Sequence, residues 1–233
     1  MSEIKQALAD PAYIQLLSLA VHEFRTPASV VGGYLRMLLR DTESPLSERH
    51  LKMVSEAERS CQRLVVLISE LSEIQKLDAN ITTLGAQTFD LFPVVEEVAK
   101  GVHESSDREV EVVCRGQSNG ASIRGDLTRL QQAFSGILRA IVREMPSDAR
   151  IVVDRRIETQ DSISSAIVIV AEEQSVQSAY EAARGAFDET RGGGLGLALP
   201  IARRVIGRHG GSVWSPAGDV GRRSIIVSLP LLG

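Results

Sequence analysis

Long apolar runs, an excess of basic residues and a cysteine framework are all missing from this chain of 233 residues. No stretch approaches the ~20 apolar residues that span a bilayer, and no secretory signal opens the sequence. A cytoplasmic location is therefore expected, either for a protein that stands alone or for the core of something longer. The formal net charge is −4, from 26 Lys and Arg against 30 Asp and Glu. A protein that holds nucleic acid through its phosphates needs the opposite balance, so no nucleic-acid partner is expected. The two cysteines, Cys61 and Cys114, lie far apart within apolar patterns and read as buried thiols, not as a disulfide. No internal repeat and no low-complexity tract is present, and the length suits one or two domains.

What the chain does have, near its start, is a long amphipathic pattern. Leu17, Val21, Phe24, Ala28, Val31, Leu35 and Leu38 recur in steps of four and three, the stripe of a packing helix. The spacing predicts a helix from Pro11 to about Asp41. At about 100° per residue, His22 lies roughly 140° from Leu17, outside the stripe. Thr26 follows one turn later on nearly the same side. Pro27 removes a backbone donor mid-helix and should bend it. A zinc site of the His-Glu-x-x-His type is excluded, because Thr26 stands where the second histidine would be.

Ser44-Pro45 marks a turn, and Ser47 is placed to cap a second helix. That helix carries a heptad, with Val54, Cys61 and Ile68 at one position and Ala57, Leu64 and Leu71 at the other. Two such helices make an antiparallel hairpin, which alone cannot cover both apolar stripes. At ~1.5–3 kcal/mol per buried large side chain, pairing with a second copy into a four-helix bundle is strongly favoured. A homodimer is therefore expected.

From Lys76 to Gln87 the heptad fades, which reads as a hinge between a domain at 1–80 and a second at 81–233. The second half predicts a short strand at Phe89–Leu91, a helix at Pro93–His103 and a strand at Glu109–Arg115, with Ala121–Arg124 as its pairing partner. A helix at Asp126–Glu144 precedes long strands at Arg150–Thr159 and Ser162–Ala171. A helix at Leu195–Arg208 and strands at Ser212–Ser215 and Ser224–Leu229 close the chain. Helices and mostly antiparallel strands segregated this way indicate an α+β sandwich. Gly192, Gly194 and Gly196 open the last predicted helix, where close backbone approach and free N–H groups favour an anion. No Gly-Lys-Ser/Thr follows, so this is not a Walker loop.

Two stretches carry a resemblance. His22-Glu23-Phe24-Arg25-Thr26-Pro27 resembles the phosphorylated box of two-component sensor histidine kinases, usually His-Glu-Leu-Arg-Thr-Pro. The run GGGLGLALPIARRVIGRHGGSVW, followed by SIIVSLP, is similar to the G2 region and closing strands of their GHKL ATPase domain. The resemblance implies a hairpin that dimerises, then an ATPase-like α/β sandwich, with ATP and Mg²⁺ as cofactors and a response-regulator receiver domain as partner. It implies His22 as phosphoacceptor, Glu23 as the group that orients or deprotonates the ring, and Thr26 as positioner of a water in a phosphatase reaction. Glu172, Gly192, Gly194 and Gly196 would contact the nucleotide.

The departures from the family pattern lie in that nucleotide site. Asp126, Arg129, Leu130, Gln132 and Pro146 match the N-box, but Gly136 stands at its first asparagine. Ala140, or Arg139 if the register slips by one, stands at the second, which holds Mg²⁺ in the family. Neither offers the oxygen a hard cation requires, so metal ligation is expected from none of these residues. Glu172, Gln174 and Val176 occupy the family's Asp, Gly and Gly. Glu144 is a conceivable substitute ligand, though a charge late in an amphipathic helix usually faces solvent. The segment from Ser178 to Arg191 is short for a lid. Losing the metal ligand alone should cost about a hundredfold in phosphoryl transfer. The expectation is a histidine kinase core with weakened or lost ATP use, in which relay or phosphatase chemistry at His22 dominates. The alternative is a non-catalytic scaffold that docks a signalling partner.

Overall fold

The computed structural model describes residues 11–104, 110–191, 193 and 196–232. The chain forms two compact units that divide between Thr82 and Thr83.

The first unit is a helical hairpin, α1 (Pro11–Arg40) and α2 (Glu48–Asp78). Helix α1 runs through Pro27 without interruption. In the connecting turn the Asp41 carboxylate accepts from the Glu43 and Ser44 amides, at 2.9 and 3.0 Å. Ser47 caps α2 by accepting from the His50 amide at 3.4 Å. Small side chains bring the helices together. A Cβ at Gly32 would meet Cys61 Sγ at 3.2 Å, and the Cys61 thiol donates to the Ala28 carbonyl at 3.0 Å. The expected hinge begins later than Lys76, because α2 continues to Asp78 with Ile74 and Leu77 buried. Those two side chains extend the packing seam by one turn, which holds the backbone helical. Both cysteines are free thiols. Cys61 is buried as expected, whereas Cys114 is half-buried.

The second unit is an α/β sandwich. Its strands are β1 (Gln87–Asp90), β2 (Glu111–Gly116), β3 (Ser122–Gly125), β4 (Arg150–Gln160), β5 (Ile163–Glu172), β6 (Arg184–Gly185), β7 (Ser212–Pro216) and β8 (Ser224–Pro230). The helices are α3 (Leu91–Glu104), α4 (Leu127–Glu144), a short α5 (Val176–Glu181) and α6 (Ala198–Arg208). The main sheet runs β2-β4-β5-β8-β7-β6, parallel between β2 and β4 and antiparallel elsewhere. On β4 the alternation is sharp. Arg155 turns to α3 and donates to the Phe92 carbonyl and Glu96, while Arg156 turns to the other face and lies over Tyr180 of α5.

Two expectations are corrected here. The strand at 122–125 pairs with β1, not with β2, in the register Phe89↔Ile123. Asp90 decides this, because its carboxylate accepts from the Gly120 and Ala121 amides at 2.6 and 3.2 Å and anchors the incoming strand. The final helix begins at Ala198, three residues after the predicted Leu195. Gly196 has φ of +65°, a left-handed backbone that cannot belong to the helix.

Candidate functional site

His22 stands on α1 with 76% of its side chain exposed, and the neighbouring Glu23 is 69% exposed. The ring Nδ1 lies 3.4 Å from Glu23 Oε1. A carboxylate at Nδ1 favours the tautomer with its proton there, leaving the Nε2 lone pair toward solvent. The Thr26 hydroxyl donates to the His22 carbonyl at 3.4 Å, so it sits one turn away along the same side. An accessible imidazole nitrogen with a carboxylate behind it is a competent nucleophile near neutral pH.

Around this histidine the hairpin exposes large apolar side chains. Phe24 is 63% exposed, and Val31 and Leu64 are more than half exposed. With Leu35, Ala57 and Ile68 they line an apolar groove of about 680 Å³ along both helices. Among the described residues of this unit, only Val21, Cys61, Ile74 and Leu77 are buried apolar side chains. One half of each predicted stripe thus serves the hairpin and the other half remains open.

In the second unit, one of the residues predicted to meet a nucleotide has protein partners of its own. Glu172, expected to accept from an adenine amino group, instead accepts from Arg223 Nη1 and Gln174 Nε2, both at 2.9 Å, and is only 13% exposed. Val176 packs on the sheet cluster of Ile167, Ile169, Ala171 and Ile226 and begins α5. Side chains in place of the family's glycines have therefore become packing and hydrogen-bonding groups. Gly192 and Gly194 lie outside the described residues, while Gly196 supplies the left-handed turn before α6.

The N-box positions show the same change. Ala140 has no exposed surface. Gly136 is buried against α6, where an added Cβ would meet the Ala198 Cβ at 3.2 Å. Arg139, the alternative register, bonds Ser135 on the exposed side of α4. Glu144 is an exposed residue, as expected, and its carboxylate binds the guanidinium of Arg191. That guanidinium is 6% exposed and also donates to the Gly221 and Ser224 carbonyls at 3.0 and 3.2 Å. Asp188, in the same cavity wall, accepts from the Thr190 hydroxyl and amide, which hold its carboxyl below the usual range. Among the described residues no group of three or more His, Cys, Asp or Glu is placed to hold a metal. The donor set at these positions does not fit Mg²⁺.

Sequence reasoning missed Arg191 and Arg223. Arg191 directly precedes the triple glycine, but a lone arginine beside a loop carries no periodic or spacing signal.

The His Kinase A (phospho-acceptor) domain family matches residues 12–80. The signal transduction histidine-protein kinase BarA of Escherichia coli K12 is 27% identical over 203 residues, covering 82% of this chain and 22% of BarA. Sporulation kinase C of Bacillus subtilis is 24% identical over 215 residues, covering 90% of this chain and 47% of that protein. The chain thus spans about a fifth of BarA and about half of the sporulation kinase. Among solved structures, the histidine kinase AdeS of Acinetobacter baumannii superimposes with a TM-score of 0.58 at 17% identity, covering 91% of this chain and 98% of that one. Full-length ShkA in complex with AMPPNP gives 0.66 at 22% identity, covering 93% of this chain and 46% of that one.

Proposed function

We propose that this chain, whose residues 12–80 match the His Kinase A (phospho-acceptor) domain family, is a two-component histidine kinase core in which His22 accepts a phosphoryl group and returns it to an aspartate of a response-regulator receiver domain. The observation that carries this reading is the exposed imidazole with Glu23 against its Nδ1. In the relay direction, His22 Nε2 attacks the phosphorus of an aspartyl phosphate. The N–P bond forms as the acyl P–O bond breaks and the carboxylate leaves. Glu23 holds the Nδ1 proton and balances the charge that grows on the ring. Thr26, one turn along, is the residue for orienting a water when the receiver is dephosphorylated.

The apolar groove is the surface for a second copy of the hairpin. Burying Phe24, Val31 and Leu64 in a four-helix bundle would contribute about 1.5–3 kcal/mol each. Phosphoryl entry from a receiver, in preference to ATP, is supported by the Arg223–Glu172 and Arg191–Glu144 pairs and by Ala140 at the family's metal position. ATP and Mg²⁺ are accordingly proposed as weak or absent ligands here.

The test is acid-labile phosphate on wild type beside His22→Ala. Each is incubated with labelled Mg·ATP, and separately with receiver domains charged from acetyl phosphate. Uptake from a receiver by wild type alone is the expected result. Label from Mg·ATP on wild type would restore a working kinase site, and no label from either source would leave the scaffold alternative standing.

A further inference from the structure

Strand β2 ends one side of the main sheet, and among the described residues no strand pairs with its outer edge. The Glu111 amide donates inward, to the Ala149 carbonyl at 3.1 Å. Backbone groups alternate in direction along a parallel ladder, so those of Val113 and Arg115 also turn inward, to β4. Val112 and Cys114 therefore direct their N–H and C=O groups out of the sheet. Gly116 ends the regular segment, with φ of +79° and a place where a Cβ would meet the Arg155 carbonyl oxygen at 2.2 Å. Glu111 to Arg115 remain for pairing, and Val113 is their midpoint. The covering helix α3 is anchored one strand further in, where Arg155 of β4 donates to the Phe92 carbonyl and to Glu96.

Sheet edges are commonly kept apart by like charges, bulges or very short strands. This edge instead carries one charge of each sign, equally spaced about Val113. We propose that β2 pairs antiparallel with β2 of a second copy, about a two-fold axis at Val113, and joins the two main sheets into one. In that register Glu111 lies opposite Arg115 of the second copy, and Val112 opposite its Cys114. Val112 and Cys114 are the residues with outward groups, so each such pair exchanges two backbone hydrogen bonds. Val113 meets its own equivalent in the closer, non-hydrogen-bonded kind of pair. The ion pairs within one copy fit the same line. Glu111 accepts from Arg150 at 2.7 and 3.0 Å, and Arg115 binds Glu173. Across the axis the charges then run Arg150, Glu111, Arg115, Glu173, alternating in sign, and opposite charges facing each other stabilise a strand pair. An axis at Val112 or Cys114 would set Glu111 or Arg115 opposite valine instead. The contact uses neither His22 nor the hairpin groove, so it stands or falls separately from both. It is small, and is expected only above about 100 µM, beyond the range in which hairpins pair. Two different two-fold contacts on one chain would then join dimers into rows.

The test uses the full chain carrying Val31→Asp and Leu64→Asp, which take the hairpin groove out of play, with Cys61→Ser and Cys114→Ser. Val113→Cys then sets two thiols at the axis, within disulfide reach. At several hundred micromolar, under air with copper–phenanthroline, a disulfide-linked pair should form at least about tenfold faster than from Ser212→Cys. Ser212, exposed on β7, measures random collision. Val112→Pro removes an N–H that the fold does not use and should bring the rate down to that of Ser212→Cys. Glu111→Arg should do the same, and adding Arg115→Glu should restore the rate. The wild type is read by amide exchange, in which Val112 and Cys114 should slow about threefold or more from low to high micromolar concentration while the amides of α4 do not change. Should the substituted chains lose the wild-type far-ultraviolet dichroism, that exchange decides alone. A Val113→Cys rate no faster than Ser212→Cys, an undiminished rate in folded Val112→Pro or Glu111→Arg, no recovery in the folded charge swap, or exchange independent of concentration would each overturn the pairing.

Discussion

Arg191 Nε donates to Glu144 Oε2 at 3.0 Å, tying the segment before the glycine loop to the last turn of α4. The same guanidinium reaches the carbonyls of Gly221 and Ser224, so one side chain joins α4, the glycine loop and the connection between β7 and β8. Removing it takes the charged donor from the carbonyls of Gly221 and Ser224, both buried residues. Arg191→Ala should cost about 2 kcal/mol of second-unit stability, measured by urea denaturation, because the Gly221 and Ser224 carbonyls lose a charged donor. Arg203→Ala, which removes the more exposed partner of Glu189, should cost less than about 1 kcal/mol. Equal losses from the two would show that Arg191 is not the joint described.

Asp126 caps α4, accepting from the Arg129 amide at 3.1 Å, and also accepts from the Gly85 amide at 2.9 Å. Burial pushes its carboxyl up, but the two amides and the Arg129 charge outweigh that and hold it below the usual aspartate range. Its native pKa is therefore below the unfolded value of about 3.9. The charged group stabilises the fold fully above that value, and the contribution is lost as pH falls through the native value. Asp126→Ala should cost about 1–2 kcal/mol at pH 6, with the difference from wild type shrinking below pH ~4. Denaturation curves at several pH values read this directly. A pH-independent difference would rule out the carboxylate as its source.

Gly125 sits against His209. A Cβ there would come within 2.4 Å of the ring Cδ2 and 2.8 Å of Nε2. The ring cannot retreat freely, since Nε2 accepts from the Asp126 amide at 2.9 Å and Nδ1 bonds the Val205 carbonyl at 2.7 Å. Gly125→Ala should destabilise by about 1–3 kcal/mol through overpacking. In a double-mutant cycle with His209→Ala the two losses should be clearly less than additive, because the second change removes the clash. Strict additivity would disprove the contact.

Val31 and Leu64 lie on the open groove of the hairpin. Val31→Asp with Leu64→Asp should convert a dimer to a monomer in light scattering after size exclusion, with helix content largely kept at high concentration. The pair lies off the buried seam of Val21, Cys61, Ile74 and Leu77. A wild type that is monomeric at tens of micromolar would instead remove the second copy from the account.

The two long helices were readable because period and capping act locally. Ser47 needs only the His50 amide three residues on, and each stripe repeats within a few turns. The long strands β4 and β5 were readable for the same reason, through their runs of Val and Ile. The exposure of His22 followed from its angle around α1. The partner of β3 did not follow, since Asp90 selects it from 30 residues away.

The amino-acid order by itself determined the hairpin, the placement of His22, Glu23 and Thr26 on one helix, and the absence of an oxygen ligand at 136 and 140. Those are properties of residue type and short spacing. Only the tertiary structure decided that Glu172 would be taken by Arg223, 51 residues away, and Glu144 by Arg191, 47 residues away. It also decided that Val176 and Tyr180 would roof the far face of the sheet. Such pairings are settled by chain closure and packing, which bring distant residues together and leave no periodic trace in the sequence.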